Sequence, residues 1–202
     1  MEVNRRTQAD RTAATRAALI TAARVLISEQ GFSAVGTQAI AAAAGVTRGA
    51  LYHQFADKAE LFMAVFEEIE EELLAQIGDA MTEAAITDPI AALELGARRW
   101  LELCADPQVH RIVLIEAPVV LGWDQWREIG QRYALGMVEA LIAQAVSTGA
   151  VPAQPVRPLA HVMIGAIDEA ALYVSRSDEP EKARAEMLDV VRRLIQAMTI
   201  EL

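Results

Sequence analysis

Apolar residues recur at three- and four-residue spacing in every long segment of this chain, and no stretch alternates strictly between apolar and polar positions with hairpin turns at its ends. The pattern predicts an all-α protein of about nine helices. The first runs from about Arg11 to Gln30, turns Leu19, Ala23 and Leu26 inward and stops at Gly31, after which Phe32 folds back onto the core. Asp57 and Glu60 form a capping-box pattern that opens a fourth helix with the inward stripe Phe62, Phe66, Ile69 and Leu73. The acidic run Glu67, Glu68, Glu70, Glu71 and Glu72 reads as the solvated face of that helix. Asp88-Pro89 and Asp106-Pro107 each pair an N-cap with a proline at the first helical position, which starts the fifth and sixth helices. Pro118 and Gly122 interrupt the pattern before a long seventh helix that ends near Ser147, with Gly149 as its stop. Beyond the loop at 149–158, an eighth helix spans about Leu159 to Val174, and a ninth, opened by Asp178 and Glu181, continues to about Ile200.

The densest local pattern lies between Thr37 and Lys58, TQAIAAAAGVTRGALYHQFADK. Gln38 to Ala44 has good helix propensity and one large apolar anchor, Ile40. Gly45 follows where the chain must turn through a left-handed conformation, Val46 fills the corner, and Thr47 stands at the N-cap of a second short helix from Arg48. At about 100° per residue, Leu51 and Phe55 share one face of that helix, while Gly49 and His53 lie opposite with Tyr52 beside them. One face packs and the other is polar, bare at Gly49 and sized for a DNA groove. Arg48 can reach a guanine or a phosphate, and Thr37 and Lys58 suit phosphate contacts that fix register. Two helices in this order form a helix-turn-helix.

Charge sharpens that reading. The net charge of −10 is unusual for a DNA binder, but residues 1–58 hold seven Lys/Arg against four Asp/Glu, whereas residues 59–202 hold 11 against 24. A basic headpiece on an acidic body binds phosphates through one end only. Arg5, Arg6, Arg11 and Arg16 either add phosphate contacts or solubilise the amino-terminal arm. The single cysteine, Cys104, excludes an internal disulfide framework, and the amino terminus lacks the apolar core of a signal peptide. The longest uncharged run, Ala140 to Val156, is too polar to span a membrane. Together these features predict a cytoplasmic protein without a membrane partner.

The segment ISEQGFSAVGTQAIA followed by AAGVTRGALYHQFADKAELF resembles the tetracycline-repressor (TetR) family of transcriptional regulators, most specifically in GALYHQF and the DK after it. The resemblance is dense over about a quarter of the chain. It implies a DNA-binding domain at residues 1–56 and a ligand-binding and dimerisation domain at 57–202. It also implies that Thr37, Thr47, Arg48, Gly49, Tyr52, His53 and Lys58 occupy the family's DNA-contacting positions. Gly36 departs from the pattern, since many members carry a second threonine or a similar residue there. The partners implied are a palindromic operator in double-stranded DNA, a small-molecule inducer, and a second copy of the chain held through the last two helices. In a dimer, two recognition helices about 34 Å apart read successive major grooves.

Farther along the chain the sequence leaves alternatives open. Helix eight carries Leu159, Val162, Met163, Ala166, Ala170 and Tyr173 on a broad stripe and helix nine carries Met187, Val191, Leu194 and Met198; these faces pack within the chain or against a twin. By resemblance a ligand pocket lies among helices four to seven, where Trp100, Cys104, His110, Trp123, Trp126, Tyr133 and Met137 concentrate; each lines that pocket or fills ordinary core. Arg98, Arg99 and His110 offer anchors for an anion, with surface exposure the simpler reading for the arginines. His53, His110 and His161 form no metal-ligand spacing, and Asp168-Glu169 is adjacent rather than facing, so no metal, cofactor or catalytic pair is expected. The main reading is a ligand-responsive DNA-binding repressor; the alternative is a helical small-molecule-binding or scaffold protein that no longer reads DNA.

Overall fold

A computed structural model describes residues 8–200, and every regular element among them is helical. The expected arms at Arg5 and Arg6 lie outside the described residues. Three helices, α1 (Gln8–Gln30), α2 (Thr37–Ala43) and α3 (Arg48–Gln54), pack pairwise into a headpiece. The long α4 (Lys58–Glu83) leaves it for a body made of α5 (Pro89–Leu103), α6 (Pro107–Val109), a π-helical stretch (His110–Glu116), α7 (Ala117–Val120), α8 (Trp123–Ser147), α9 (Val156–Ser175) and α10 (Pro180–Ala197). Because α6, the π-helical stretch and α7 run on without a break, nine helical segments result.

Local chemistry explains most boundaries. Gly31 ends α1 at φ +86°, with its N–H donating to the Ile27 carbonyl at 2.8 Å. Asp57 caps α4 by accepting from the Glu60 N–H at 2.8 Å, while the Glu60 carboxylate reaches back to the Ala56 N–H. Asp88 and Asp106 each accept two amides of the helix they open, ahead of a proline that has no amide to satisfy.

Several boundaries and faces differ from the sequence expectation. Ile27, rather than Leu26, is fully buried on α1, because Leu19, Ala23 and Ile27 form a straight four-residue ladder that leaves Leu26 on its flank. Pro118 does not end its helix. The turns before it open to π geometry, which makes room for a ring that would otherwise strike the carbonyl four residues back, and the break comes at Gly122 with φ +81°. The Asp178/Glu181 capping box is absent: Pro180 takes the first helical position, Glu179 becomes the N-cap residue without a side-chain cap, and α10 closes at Ala197. Helix α9 begins at Val156, three residues before expectation.

The largest departure is Glu70. Phe62, Phe66, Ile69 and Leu73 are buried as the stripe requires, but Glu70 is buried with them, 5% exposed, so the acidic run is not a uniformly solvated face. It lies one turn beyond Phe66 and one turn before Leu74, on the side of α4 that meets the body. Its neighbours are held outside by ion pairs: Glu72 with Arg24 at 2.7 Å and Glu67 with Arg132 at 3.3 Å.

On the two terminal helices the expected stripes divide. Met163, Ala170 and Val191 are buried within the chain, whereas Val162 and Tyr173 on α9 and Leu194 on α10 are exposed; off the expected stripes, Ile195 is buried and Val190 exposed. No helix among the described residues is long and apolar enough to cross a membrane.

Candidate nucleic-acid interface and internal cavity

The headpiece turn is built as its residues dictate. Gly45 takes φ +68°, and the Val46 N–H donates to the Ala41 carbonyl at 2.9 Å, closing the end of α2. The Thr47 hydroxyl accepts from the Ala50 N–H at 3.1 Å and starts α3. Ile40, Leu51 and Phe55 are buried, which fixes the roll of α3 and turns Arg48, Gly49, Tyr52 and His53 to solvent.

Three of these outward residues meet. The Tyr52 hydroxyl lies 3.3 Å from the Thr37 hydroxyl and accepts from Arg48 Nη2 at 3.4 Å, and the Arg48 guanidinium stands 5.4 Å from the Tyr52 ring centre. Hydrogen bonds from Thr37 and then Arg48 draw the Tyr52 phenol below its ordinary pKa. Thr37 thereby joins the first residue of α2 to the exposed face of α3. Beside them, a Cβ added at Gly49 would meet nothing nearer than the Thr47 hydroxyl at 3.8 Å, so no neighbour within the protein requires a glycine there.

Lys58 is set apart from this group. Its ammonium donates to the carbonyls of Phe32 at 2.8 Å and Val35 at 3.0 Å and sits 4.0 Å from the Phe32 ring centre, so it ties the loop after α1 to the start of α4. Two of its three N–H groups are engaged by these carbonyls. Arg16 lies over the Phe55 ring at 4.4 Å, on the outside of the same headpiece.

In the body, α4, α5, α8 and α9 surround a cavity of about 90 Å³, closed on one side by Val113 of the π-helical stretch. Of the seven residues singled out from sequence, Trp100, Trp126 and Met137 line it and four do not. Cys104 is buried at the end of α5, where burial first and then Glu70 and Asp168 push its thiol well above its ordinary pKa. His110 faces a separate recess beside Pro107 and Arg184. Trp123 is half exposed at the first turn of α8, its ring tilted 48° against that of Trp126 with ring centres 4.8 Å apart. Tyr133 packs against the core one residue short of the lining stripe Trp126, Gly130, Ala134, Met137 and Leu141. Neither Arg98, which is exposed, nor Arg99, which pairs with Glu102 at 2.8 Å, reaches the cavity.

Sequence reasoning missed the charged residues that do line it: Glu70, Arg127 and Asp168. Burial, and secondarily Asp168, raises the Glu70 carboxyl to about 8; burial raises Asp168 to about 6 in spite of Arg127, whose Nη1 lies 3.6 Å away. A usable signal existed on α4, where Glu70 continues into Leu74, Ile77 and Met81 at helical spacing, all of them lining residues. The described residues contain no group of three or more His, Cys, Asp or Glu side chains suited to a metal ion.

A second line of contact joins cavity and headpiece. Arg24 of α1 donates from Nε to Gln108 of α6 at 2.6 Å. At the end of α1, Gly31 lies against the Arg111–Glu116 ion pair of the π-helical stretch that carries Val113.

Residues 19–65 match the family described as bacterial regulatory proteins, tetR family, and residues 90–198 match the family described as tetracyclin repressor-like, C-terminal domain. The transposon Tn10 TetC protein of Escherichia coli is 24% identical over 195 residues, covering 96% of this chain and 98% of that protein. The HTH-type transcriptional regulator CymR of Pseudomonas putida is 41% identical over 73 residues, 36% of each chain. Among solved structures, a TetR-family transcriptional regulator from Pectobacterium atrosepticum superimposes with a TM-score of 0.83 at 29% identity, covering 97% of this chain and 99% of that one. With a basic helix-turn-helix at one end, a cavity-bearing helical body at the other and family matches over both, the chain belongs to the TetR family of DNA-binding transcriptional regulators, whose C-terminal domains bind ligands.

Proposed function

We propose that this protein is a cytoplasmic repressor that binds a palindromic operator as a homodimer and is released by a small molecule taken into the body cavity. The observation that carries the proposal is the outward constellation of Thr37, Arg48 and Tyr52 beside the bare backbone of Gly49, on a helix whose roll is fixed by Leu51 and Phe55. Arg48, Tyr52 and His53 supply groove-facing polar groups, while Thr37, Thr47 and the third N–H of Lys58 supply phosphate contacts. The proposed DNA-binding part comprises residues 1–56 together with the first turns of α4, since Phe62 packs on Phe32 with ring centres 5.3 Å apart. The remainder, through residue 202, carries ligand and partner subunit.

The exposed apolar side chains Val162, Tyr173, Val190 and Leu194 support dimerisation through α9 and α10, because four such residues on two adjacent helices gain by covering one another. Ligand control follows from linkage: a molecule that favours a body shape in which the two α3 helices miss successive major grooves lowers operator affinity, and the operator lowers ligand affinity by the same factor. The continuous α4 offers one route for that coupling. Val113, Arg111 and Gln108 against α1 offer the other. Neither route calls for chemistry on the ligand, and the family is one of regulators rather than enzymes.

The test is binding of the purified protein to a fluorescent fragment from upstream of its own gene, against random DNA, over a range of salt. The expected result is specific binding by dimers that weakens steeply as salt rises. Binding equal to that of random DNA at every genomic fragment tried would favour a scaffold role instead.

A further inference from the structure

The charged residues of the cavity favour one class of ligand. Glu70 is buried, lines the cavity, and has no hydrogen-bond or ion-pair partner among the described residues. Asp168 faces the same space and has one cationic neighbour, Arg127, at 3.6 Å, which is beyond a good hydrogen bond. The site thus holds two carboxyl groups for one guanidinium. Most of the remaining wall is apolar, and it includes the indoles of Trp100 and Trp126. One polar group of the wall, the Glu70 carboxyl, is thus left unsatisfied in the empty cavity. Buried polar groups left unpaired are costly, so a ligand that satisfies them gains affinity from groups the empty protein leaves idle.

We propose that the cavity selects a small organic cation, an amine or amidine on a body of about one aromatic ring, whose charged head lies between Glu70 and Asp168 and whose body packs on Trp100 and Trp126. This rests on the reading of the cavity as the inducer site. An anionic ligand would place its charge beside Asp168 and against a Glu70 carboxyl that has no cation of its own, and Arg127 is already shared with Asp168 and stands 5.9 Å from the Trp123 ring centre. A neutral ligand would fill the space and leave the Glu70 carboxyl protonated. A cation turns the excess acid into an ion pair, and indole faces attract cations as well as apolar rings. The cavity volume of about 90 Å³ limits the ligand body to roughly single-ring size, reached as the flexible Met81 and Met137 side chains of the wall shift.

A proton accounts for how the site exists empty. Glu70 is held up at about 8 by burial, and the titratable and charged groups near it are Asp168 on α9, Arg127 and Tyr133 on α8 and Cys104 at the end of α5. It therefore stays mainly neutral near pH 7 in the empty cavity, and an arriving cation expels its proton.

The experiment compares three molecules of one shape, benzylamine, benzyl alcohol and benzoate, by calorimetric titration of the full-length protein at pH 7 in two buffers of different ionisation enthalpy. Benzylamine is expected to bind about 10- to 100-fold more tightly than benzyl alcohol, the range for a charge-assisted contact, with release of up to one proton. Glu70→Gln should erase that preference, bringing benzylamine to within about threefold of benzyl alcohol. Asp168→Asn should reduce it and serves in place of Glu70→Gln if that variant fails to fold. Gly130→Phe, which extends from a lining position with nothing within 4 Å of its Cβ, should abolish binding of all three. If benzyl alcohol or benzoate binds best and Gly130→Phe blocks it, the cavity is a ligand site and the cation inference is overturned. Benzylamine binding that survives Gly130→Phe overturns it as well, and failure of all three at millimolar concentration overturns the inducer-site reading with it.

Discussion

The outer face of α3 and the inner wall of the cavity are both polar surfaces on helices, but they are made in opposite ways. On α3, residues 48–53 supply almost the whole surface, and two buried residues, Leu51 within the helix and Phe55 at its C-cap, decide which side faces out. The cavity wall takes one or two residues per turn from four long helices and the π-helical stretch, so its chemistry depends on how separate elements are rotated against one another. A contiguous site tolerates motion of the headpiece as a unit. A dispersed site changes whenever the body changes, which is the property a ligand sensor needs.

Removing function from one surface without disturbing the fold is the strongest way to test that contrast, and the largest effect is expected on α3. Arg48→Ala with Tyr52→Ala deletes two outward contacts per protomer, each worth about 1–3 kcal/mol where it reaches a base or phosphate pair. Operator affinity should fall by at least a hundredfold in a fluorescence titration. Because both side chains are exposed, urea unfolding should shift by no more than about 0.5 kcal/mol. A variant that stays folded and binds operator as tightly as the parent would remove these residues from the interface.

On the cavity side the corresponding handle is pH. The Glu70 carboxyl is raised from an ordinary 4.5 to about 8 on folding, so between those values the native chain holds a proton that the unfolded chain gives up. Stability from this group is complete below about pH 4.5 and falls as pH rises through about 8, with a slope approaching 1.4 kcal/mol per pH unit. Asp168, raised from 3.8 to about 6, adds the same sign over a lower window. Glu70→Gln should flatten the decline between pH 6 and 8 and leave the variant more stable than the parent at pH 8 by a few kcal/mol in urea unfolding. Parallel pH profiles for parent and variant would mean that the carboxyl is not held neutral by its surroundings.

The same contrast decides what the sequence could reveal. Gly45, Thr47, Leu51 and Phe55 act within a dozen residues of one another, and turn, cap and packing face follow from spacing alone. The N-caps Asp57, Asp88 and Asp106 are equally local. Glu70 was hidden because an acidic residue among four others has a solvated face as its simplest reading, and only packing against the other body helices buries it. Trp123 and Trp126 are three residues apart on one helix, yet one is exposed and the other lines the cavity, since the helix begins at Trp123 beyond the cavity's end. The π-helical stretch carries no residue marker except the proline two positions after it.

Between the two surfaces, Gly31 is the point where the junction itself can be perturbed. Its φ of +86° disfavours any side chain by about 1–2 kcal/mol, and a Cβ there would come within 2.8 Å of Glu116 Oε1 and closer still to Arg111 Nη2. Those tips can move, so the backbone term dominates. Gly31→Ala should lower the melting temperature by a few degrees and displace the Arg111–Glu116 pair from α1. With the second route weakened, more ligand should be needed to release operator than the change in stability accounts for, as read in a titration of the DNA complex. An unchanged ligand requirement would leave α4 as the sole connection.

The smallest and most discriminating effect belongs to Gly49. An alanine there meets no neighbour nearer than 3.8 Å, lies in helical backbone without a positive φ, and adds helix propensity worth up to about 1 kcal/mol. Considered for the free protein alone, Gly49→Ala is neutral or stabilising. If α3 enters a major groove with this backbone against the DNA, the added methyl holds the helix off, and affinity should drop several-fold to tenfold while the melting temperature rises or stays level. Opposite signs in the two measurements place the constraint on Gly49 in the partner rather than in the fold. A loss of stability together with affinity would return that constraint to the protein interior, and unchanged affinity would move the DNA contact to another edge of α3.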